Sequence, residues 1–227
     1  MNPKNQEILT FNQERKDSVK AIRADKQLQE KSLEWMLHAD KYKYTYNFSW
    51  MGRPIIKFPA DMIVQQELMW RLKPDLIIET GIAHGGSLVF SASMLKMMGI
   101  DGEVVGVDID IRSHNRELIE AHPTYDRITM YEGSSTDPEI VEQVKKHTIG
   151  KNTVLVILDS HHGHDHVYNE LQLYTPFVTK DSYCILPDTF IEFFPKGTYS
   201  DVRPWDVGNN PYTAMKQFLS VNDDFQI

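Results

Sequence analysis

The segment Asp75–Ser87, DLIIETGIAHGGS, decides the fold. It opens with a short β-branched run that is apolar throughout instead of alternating, the pattern of a strand buried on both faces of a parallel sheet. A glycine-rich turn follows, Glu79-Thr80-Gly81-Ile82-Ala83-His84-Gly85-Gly86-Ser87, and leads into a helical stretch. Four more runs share that texture: Glu103–Asp108 (EVVGVD), Ile128–Glu132 (ITMYE), Thr153–Asp159 (TVLVILD) and Ser182–Leu186 (SYCIL). The segments between them, at about 86–98, 113–121, 137–147 and 166–175, are long enough for crossover helices. Strand alternating with helix predicts a doubly wound, mainly parallel α/β sheet.

Upstream, Pro59 and Asp61 suit the first turn of a helix. Met62, Leu68, Met69 and Leu72 give it an apolar face until Lys73-Pro74 stops it. The first 50 residues are polar and free of glycine. From about Asn12 to Ala39 they predict a helix with a sparse apolar stripe of Val19, Ile22, Leu33, Trp35 and Met36. A stripe that thin suits packing on the main domain or on a second subunit, and a homo-oligomer is the expected assembly. The chain thus divides into a helical extension, 1–50, and an α/β domain, 51–227.

At 227 residues the chain can bury a sizeable core. With 24 basic against 32 acidic residues its net charge is −8, which argues against a nucleic-acid partner, since phosphate binding needs a basic stripe. No apolar run approaches the roughly 20 residues that span a bilayer, and the amino terminus lacks the pattern of a secretory signal. The lone Cys184 cannot form an internal disulfide, so a reduced, cytoplasmic setting is expected, with the cysteine as buried filler.

In doubly wound sheets, ligands bind beyond the carboxyl ends of the strands, where each strand here ends on a polar or acidic residue. The spacing from Gly81 to Gly85 is not the G-x-G-x-x-G of dinucleotide sites. Glu79, two residues before Gly81, fits a ligand with a cationic amino-acid tail; a plain strand-to-helix turn is the alternative. Asp108 ends the second run 27 residues after Gly81, where an acid accepts from the ribose hydroxyls of an adenosyl ligand. It could instead cap the helix that follows. The polar loop Gly133-Ser134-Ser135 with Asp137 should lie beside the adenine, Asp137 serving equally well as a helix N-cap. The expected cofactor contacts are Glu79, Gly81, His84, Gly85, Ser87, Asp108, Ser134 and Asp159.

The fourth run ends in Asp159-Ser160-His161-His162-Gly163-His164-Asp165-His166, holding four of the nine histidines. Such a cluster points to metal, proton transfer or both. Asp188, after the fifth run, would neighbour Asp159 at the end of an adjacent strand, a natural pair for a hard cation such as Mg²⁺. His166 could cap its helix and His161 could face solvent. Further on, Arg203-Pro204-Trp205-Asp206-Val207-Gly208-Asn209-Asn210-Pro211 is a loop whose Arg203 and Trp205 could cover a polar ring, or simply a surface loop.

Together IIETGIAHGGSL, GVDID, VLVILDSHHGHDHV, the Asp-Thr at 188–189 and RPWDVGNNPYTAMKQFL resemble the cephalosporin hydroxylase-like family. That family comprises class I S-adenosylmethionine-dependent O-methyltransferases, including rhamnosyl O-methyltransferases, and the resemblance runs from about residue 50 to 225. It implies a seven-stranded Rossmann-like fold, S-adenosyl-L-methionine held by Glu79, Gly81 and Asp108, and a divalent cation near Asp159 and Asp188. Two departures accompany it. Pro187 stands where the family carries an acidic residue, and the sequence stops at Asp224-Phe225-Gln226-Ile227, about where a sixth strand should begin.

These readings converge on methyl transfer to a hydroxyl of a sugar or other glycan-like small molecule. Asp159 and Asp188 would hold Mg²⁺, His162 (with Asp159) would handle the proton, and His164, Arg203 and Trp205 would contact the acceptor. The rival expectations are a metal-dependent hydroxylase or hydrolase built on the Asp159/His cluster, and a non-catalytic adenosyl-binding or scaffold protein.

Overall fold

The computed structural model describes residues 3–199 and 201–227, in two compact units that divide between Tyr44 and Thr45. The first unit is a helix pair, α1 (Pro3–Ala24) and α2 (Lys26–Asp40). One continuous helix was the expectation; Asp25 breaks it. Its carboxylate accepts from the Leu28 amide at 2.9 Å, the N-cap geometry that makes Asp a better helix starter than helix interior. No described helix is long and apolar enough to cross a membrane.

The second unit begins with a hairpin that sequence reading missed, β1 (Phe48–Trp50) paired antiparallel with β2 (Arg53–Ile55). Its two-residue turn is Met51-Gly52, both at positive φ, so the usual Asn-Gly signal is absent. Then come α3 (Pro59–Leu72), β3 (Leu76–Thr80), α4 (Gly86–Met97), β4 (Glu103–Asp108), α5 (Ser113–Glu120), β5 (Ile128–Glu132), α6 (Pro138–His147), β6 (Val154–Leu158), α7 (His164–Tyr174), β7 (Cys184–Ile185) and α8 (Pro211–Val221). The main sheet has the order β5-β4-β3-β6-β7 and every pairing in it is parallel. Seven strands were implied; the described residues carry five in this sheet.

The chain moves outward from β3 to β5 and then returns to place β6 on the other flank of β3. The topological switch therefore lies between β3 and β6, and their carboxyl ends frame the crevice. Both strands are fully buried. Alternate side chains feed opposite cores: Ile77, Leu155 and Ile157 join one cluster, Leu76, Ile78, Val154, Val156 and Leu158 the other. Each such side chain stabilises the fold by about 1.5–3 kcal/mol relative to exposure.

The fifth strand is shorter than expected, ending at Ile185, because Pro187 has no N–H for a continuing ladder. Cys184 is half-buried on this edge instead of fully enclosed, and its surroundings push the thiol up to about 12.

The hairpin braces the turn after β3. Trp50 Nε1 donates to Ser93 Oγ at 2.8 Å, and its ring meets Phe90 edge-on at 4.9 Å. Buried Arg53 donates through Nε to the His84 carbonyl at 3.0 Å and through its guanidinium to Asn115 Oδ1 at 3.0 Å. Helix α4 fits beneath this hairpin only because residue 86 is glycine: a Cβ there would lie 2.2 Å from the Pro54 carbonyl oxygen. Gly86→Ala should therefore cost roughly 2–3 kcal/mol, a fall of about 5–10 °C in melting temperature for a domain of this size. Thermal unfolding followed by circular dichroism checks it.

Candidate active site

The turn after β3 runs directly against the end of β6. The Asp159 amide donates to the Thr80 carbonyl at 2.9 Å, and the Gly81 amide donates to Val107 at 2.7 Å, tying the ends of three strands together. Gly81 has φ +91°, and a Cβ on it would lie 2.0 Å from the Asp159 carbonyl oxygen. Only glycine combines that backbone conformation with that approach.

Glu79, expected here, is fully buried. Ser87 donates to its Oε1, while Oε2 is buried with no partner among the described residues. Burial lifts its carboxyl from 4.5 to about 7, against the opposing pull of Lys57 and the Ser87 hydroxyl. Asp108 closes the glycine turn, its Oδ2 accepting from the Ile82 and Ala83 amides at 2.7 and 2.9 Å and its Oδ1 from Asp110 at 3.1 Å. Asn115 holds the same turn from outside, donating to the Ala83 carbonyl at 3.1 Å, with His84 Nδ1 3.4 Å from its Oδ1. Gly85 is the left-handed cap of α4. Ser134 Oγ pairs with Thr136 Oγ1 at 3.0 Å, whereas buried Ser135 reaches His166 Nε2 at 3.1 Å.

The structure separates the four histidines into different tasks. His162 Nε2 is 3.2 Å from Asp188 Oδ2, and with Asp159 these residues offer three donor atoms that all lie within 4.8 Å of one another. Burial raises the Asp188 carboxyl above its ordinary range, opposed by His162. His161 Nδ1 accepts from the Gly163 amide at 3.1 Å, and its pKa is lowered by burial and by neighbouring His166 and His162. His164, expected at the acceptor, instead uses both ring nitrogens between helices, 2.8 Å from Thr213 Oγ1 and 2.8 Å from Gln217 Oε1. His166 sits with Ser160 and fully buried Glu170, whose Oε1 accepts from Ser160 at 2.7 Å. Trp205 meets His161 and His162 edge-on at 5.3 and 4.8 Å, and Arg203 lies 5.4 Å from the Trp205 ring centre, so the 203–211 loop does border the cluster.

Sequence reading missed Lys57, whose ammonium is 2.8 Å from Asp159 Oδ2 and 3.9 Å from Glu79 Oε1. Its signal was a lone charge inside the apolar run Ile55-Ile56-Lys57-Phe58. It also missed Arg53 and Asn115, polar groups whose partners lie far away in sequence, buried Glu170 beneath Ser160 and His166, and Asp61, whose carboxyl is raised by burial and feels both Lys57 and Asp159.

A parallel doubly wound sheet with a glycine turn and converging acids at its switch point defines the class I methyltransferase fold. Within that class the chain belongs to the rhamnosyl O-methyltransferase/CmcI family, whose model matches residues 42–227. It is 34% identical over 173 residues to the rhamnosyl O-methyltransferase of Mycobacterium tuberculosis (strain H37Rv), covering 75% of this chain and 65% of that protein. The chain thus spans just under two thirds of that curated relative. Among solved structures, CmcI with Mg and S-adenosylmethionine aligns at TM-score 0.53 and 22% identity, over 77% of this chain and 66% of that one. The MycE methyltransferase of the mycinamycin pathway, with Mg and S-adenosylhomocysteine, aligns at 0.51 and 18%, over 81% and 44%. At those identities the two structures attest the fold.

The raised Glu79 carboxyl has a consequence for stability. The native state holds that proton more tightly than the unfolded chain does, so the stabilisation is present at acid pH and fades as pH climbs through about 7. Glu79→Gln should flatten the decline in unfolding midpoint between about pH 4.5 and 7. Denaturant titrations of both proteins across that range check it, and parallel curves would contradict it.

Proposed function

We propose that this chain is an S-adenosylmethionine-dependent O-methyltransferase that acts on a hydroxyl of a sugar or glycan-like small molecule with the help of a divalent cation. The observation that carries the reading is the meeting, at one switch point, of the Glu79–Gly81 turn with the Asp159/His162/Asp188 group. Family membership supports the chemistry, and the names of the relatives support a sugar acceptor. The lone cysteine suits a reducing, cytoplasmic setting. Ile8, Leu9, Phe11, Val19 and Ile22, exposed on α1, suit self-association.

The residues present fit both groups. The unpartnered Glu79 Oε2 suits the ammonium of an amino-acid tail. Asp108 has three of a carboxylate's roughly four acceptor positions filled by backbone amides, which leaves room for one ribose hydroxyl. Two carboxylates and an imidazole converging within 4.8 Å suit a small dication. S-adenosylmethionine supplies the methyl group on a sulfonium. A cation at Asp159 and Asp188 would lower the pKa of the acceptor hydroxyl.

The chain's own residues do the rest. Gly81 lets the turn and β6 close on the donor, Trp205 and Arg203 form a face for the acceptor ring, and His162 takes or relays the hydroxyl proton. One observation favours a second role for His162: its Nε2 lies among the ligand atoms, where it could replace the acid that Pro187 lacks. A ring nitrogen bound to metal cannot take the proton, so the two roles separate experimentally.

His162→Ala should lower turnover at saturating substrates by roughly 10²–10⁴-fold. As a proton acceptor the residue leaves Mg²⁺ affinity intact when removed; as a ligand it takes that affinity with it. Near-normal turnover in the variant would remove His162 from the mechanism. Chelation should abolish methyl transfer to rhamnosyl acceptors and added Mg²⁺ should restore it, and a rate indifferent to both would remove the cation.

A further inference from the structure

Lys57 belongs to none of the roles above, yet it sits at their centre. It lies in the short connection between β2 and α3, and its side chain is only 7% exposed. Its ammonium bonds Asp159 Oδ2 at 2.8 Å, on a residue whose carboxylate is one of the three converging donors. The next residue, Phe58, meets Phe190 edge-on at 5.7 Å, two positions beyond Asp188. The segment carrying Lys57 therefore touches both loops that supply carboxylates to the group.

An ammonium and a dication held on one carboxylate repel each other strongly, and a half-buried crevice screens that repulsion poorly. A second seat is close by. Glu79 Oε1 is 3.9 Å from the same nitrogen, and Glu79 Oε2 stays free for the cofactor's own ammonium. We infer that Lys57 is a built-in counter-cation that neutralises Asp159 in the metal-free protein, competes with the metal for that carboxylate, and withdraws toward Glu79 as the metal enters. This rests on the reading that Asp159 and Asp188 grip a dication. It gives Lys57 a positioning role: it keeps the crevice formed while the cation is absent and sets how weakly the cation is held.

The test is calorimetric titration of MgCl₂ into the full chain at fixed ionic strength, for wild type, Lys57→Met and Lys57→Arg, with S-adenosylhomocysteine titrated into each protein separately. Lys57→Met removes the competing charge at similar volume and should bind Mg²⁺ at least tenfold more tightly. Lys57→Arg keeps the charge on a planar fork that grips a carboxylate bidentately, and should bind it at least threefold more weakly. Unchanged or weaker binding by Lys57→Met overturns the inference while leaving the metal reading intact. Should Lys57→Met fail to fold by circular dichroism, Lys57→Arg decides alone: weaker binding supports competition, wild-type affinity overturns it. If none of the proteins binds Mg²⁺ while S-adenosylhomocysteine still binds, the metal reading falls and this inference with it.

Discussion

At Gly81 the backbone after β3 passes so close to the end of β6 that a Cβ would lie 2.0 Å from the Asp159 carbonyl oxygen. That approach exists because β3 and β6 pair in parallel, with Thr80 opposite Leu158, and the chain continues on both sides of the pair without a spacer. Everything chemical follows from it. The two loops cannot diverge until they have passed each other, so Glu79 on one strand and Asp159 just beyond the other are held within reach of a single ammonium. Arg53 and Asn115 then lock the glycine turn from outside, and Asp108 locks it from the next strand. The crevice is thus formed by backbone geometry before any ligand arrives.

Such a site is poorly suited to stabilising the fold. Glu79 and Lys57 are drawn out of water and Asp188 partly so, and burial raises the two carboxyls above their ordinary values. The Coulombic attraction of Lys57 to Asp159 and Glu79 offsets part of that cost and keeps the ammonium charged. Acids outnumber the lysine, and buried Glu79 Oε2 has no partner among the described residues. A crevice with that balance favours cationic ligands, and both a sulfonium amino acid and a dication are cations. The stability for this arrangement comes from elsewhere, from the two apolar clusters on either face of the sheet.

The sheet was legible because burial on both faces leaves a continuous apolar signature in each strand, and because Pro and Gly punctuate the connections. Where the sequence misled, a local residue overrode the pattern: Asp25 splits the expected helix into a pair, and Pro187 stops β7 one residue early. The Asp159/Asp188 pairing was legible because both acids follow strands that had to be neighbours. The division of labour among the histidines was not. His164 looks like its neighbours in the sequence and becomes a structural clamp only when α8 brings Thr213 and Gln217 to it. Lys57 showed only as a lone charge in an apolar run, and its role stayed hidden because its two carboxylate partners come from well downstream.

The proposed adenosyl-sulfonium site is the switch point between β3 and β6. Its most direct test is a calorimetric titration of the purified chain with S-adenosylhomocysteine, with a folded Asp108→Ala variant as the control. Wild-type protein should bind it with a dissociation constant on the order of micromolar, weakened at least tenfold in the variant. No binding by well-folded wild-type protein, or equal binding by the variant, would contradict it.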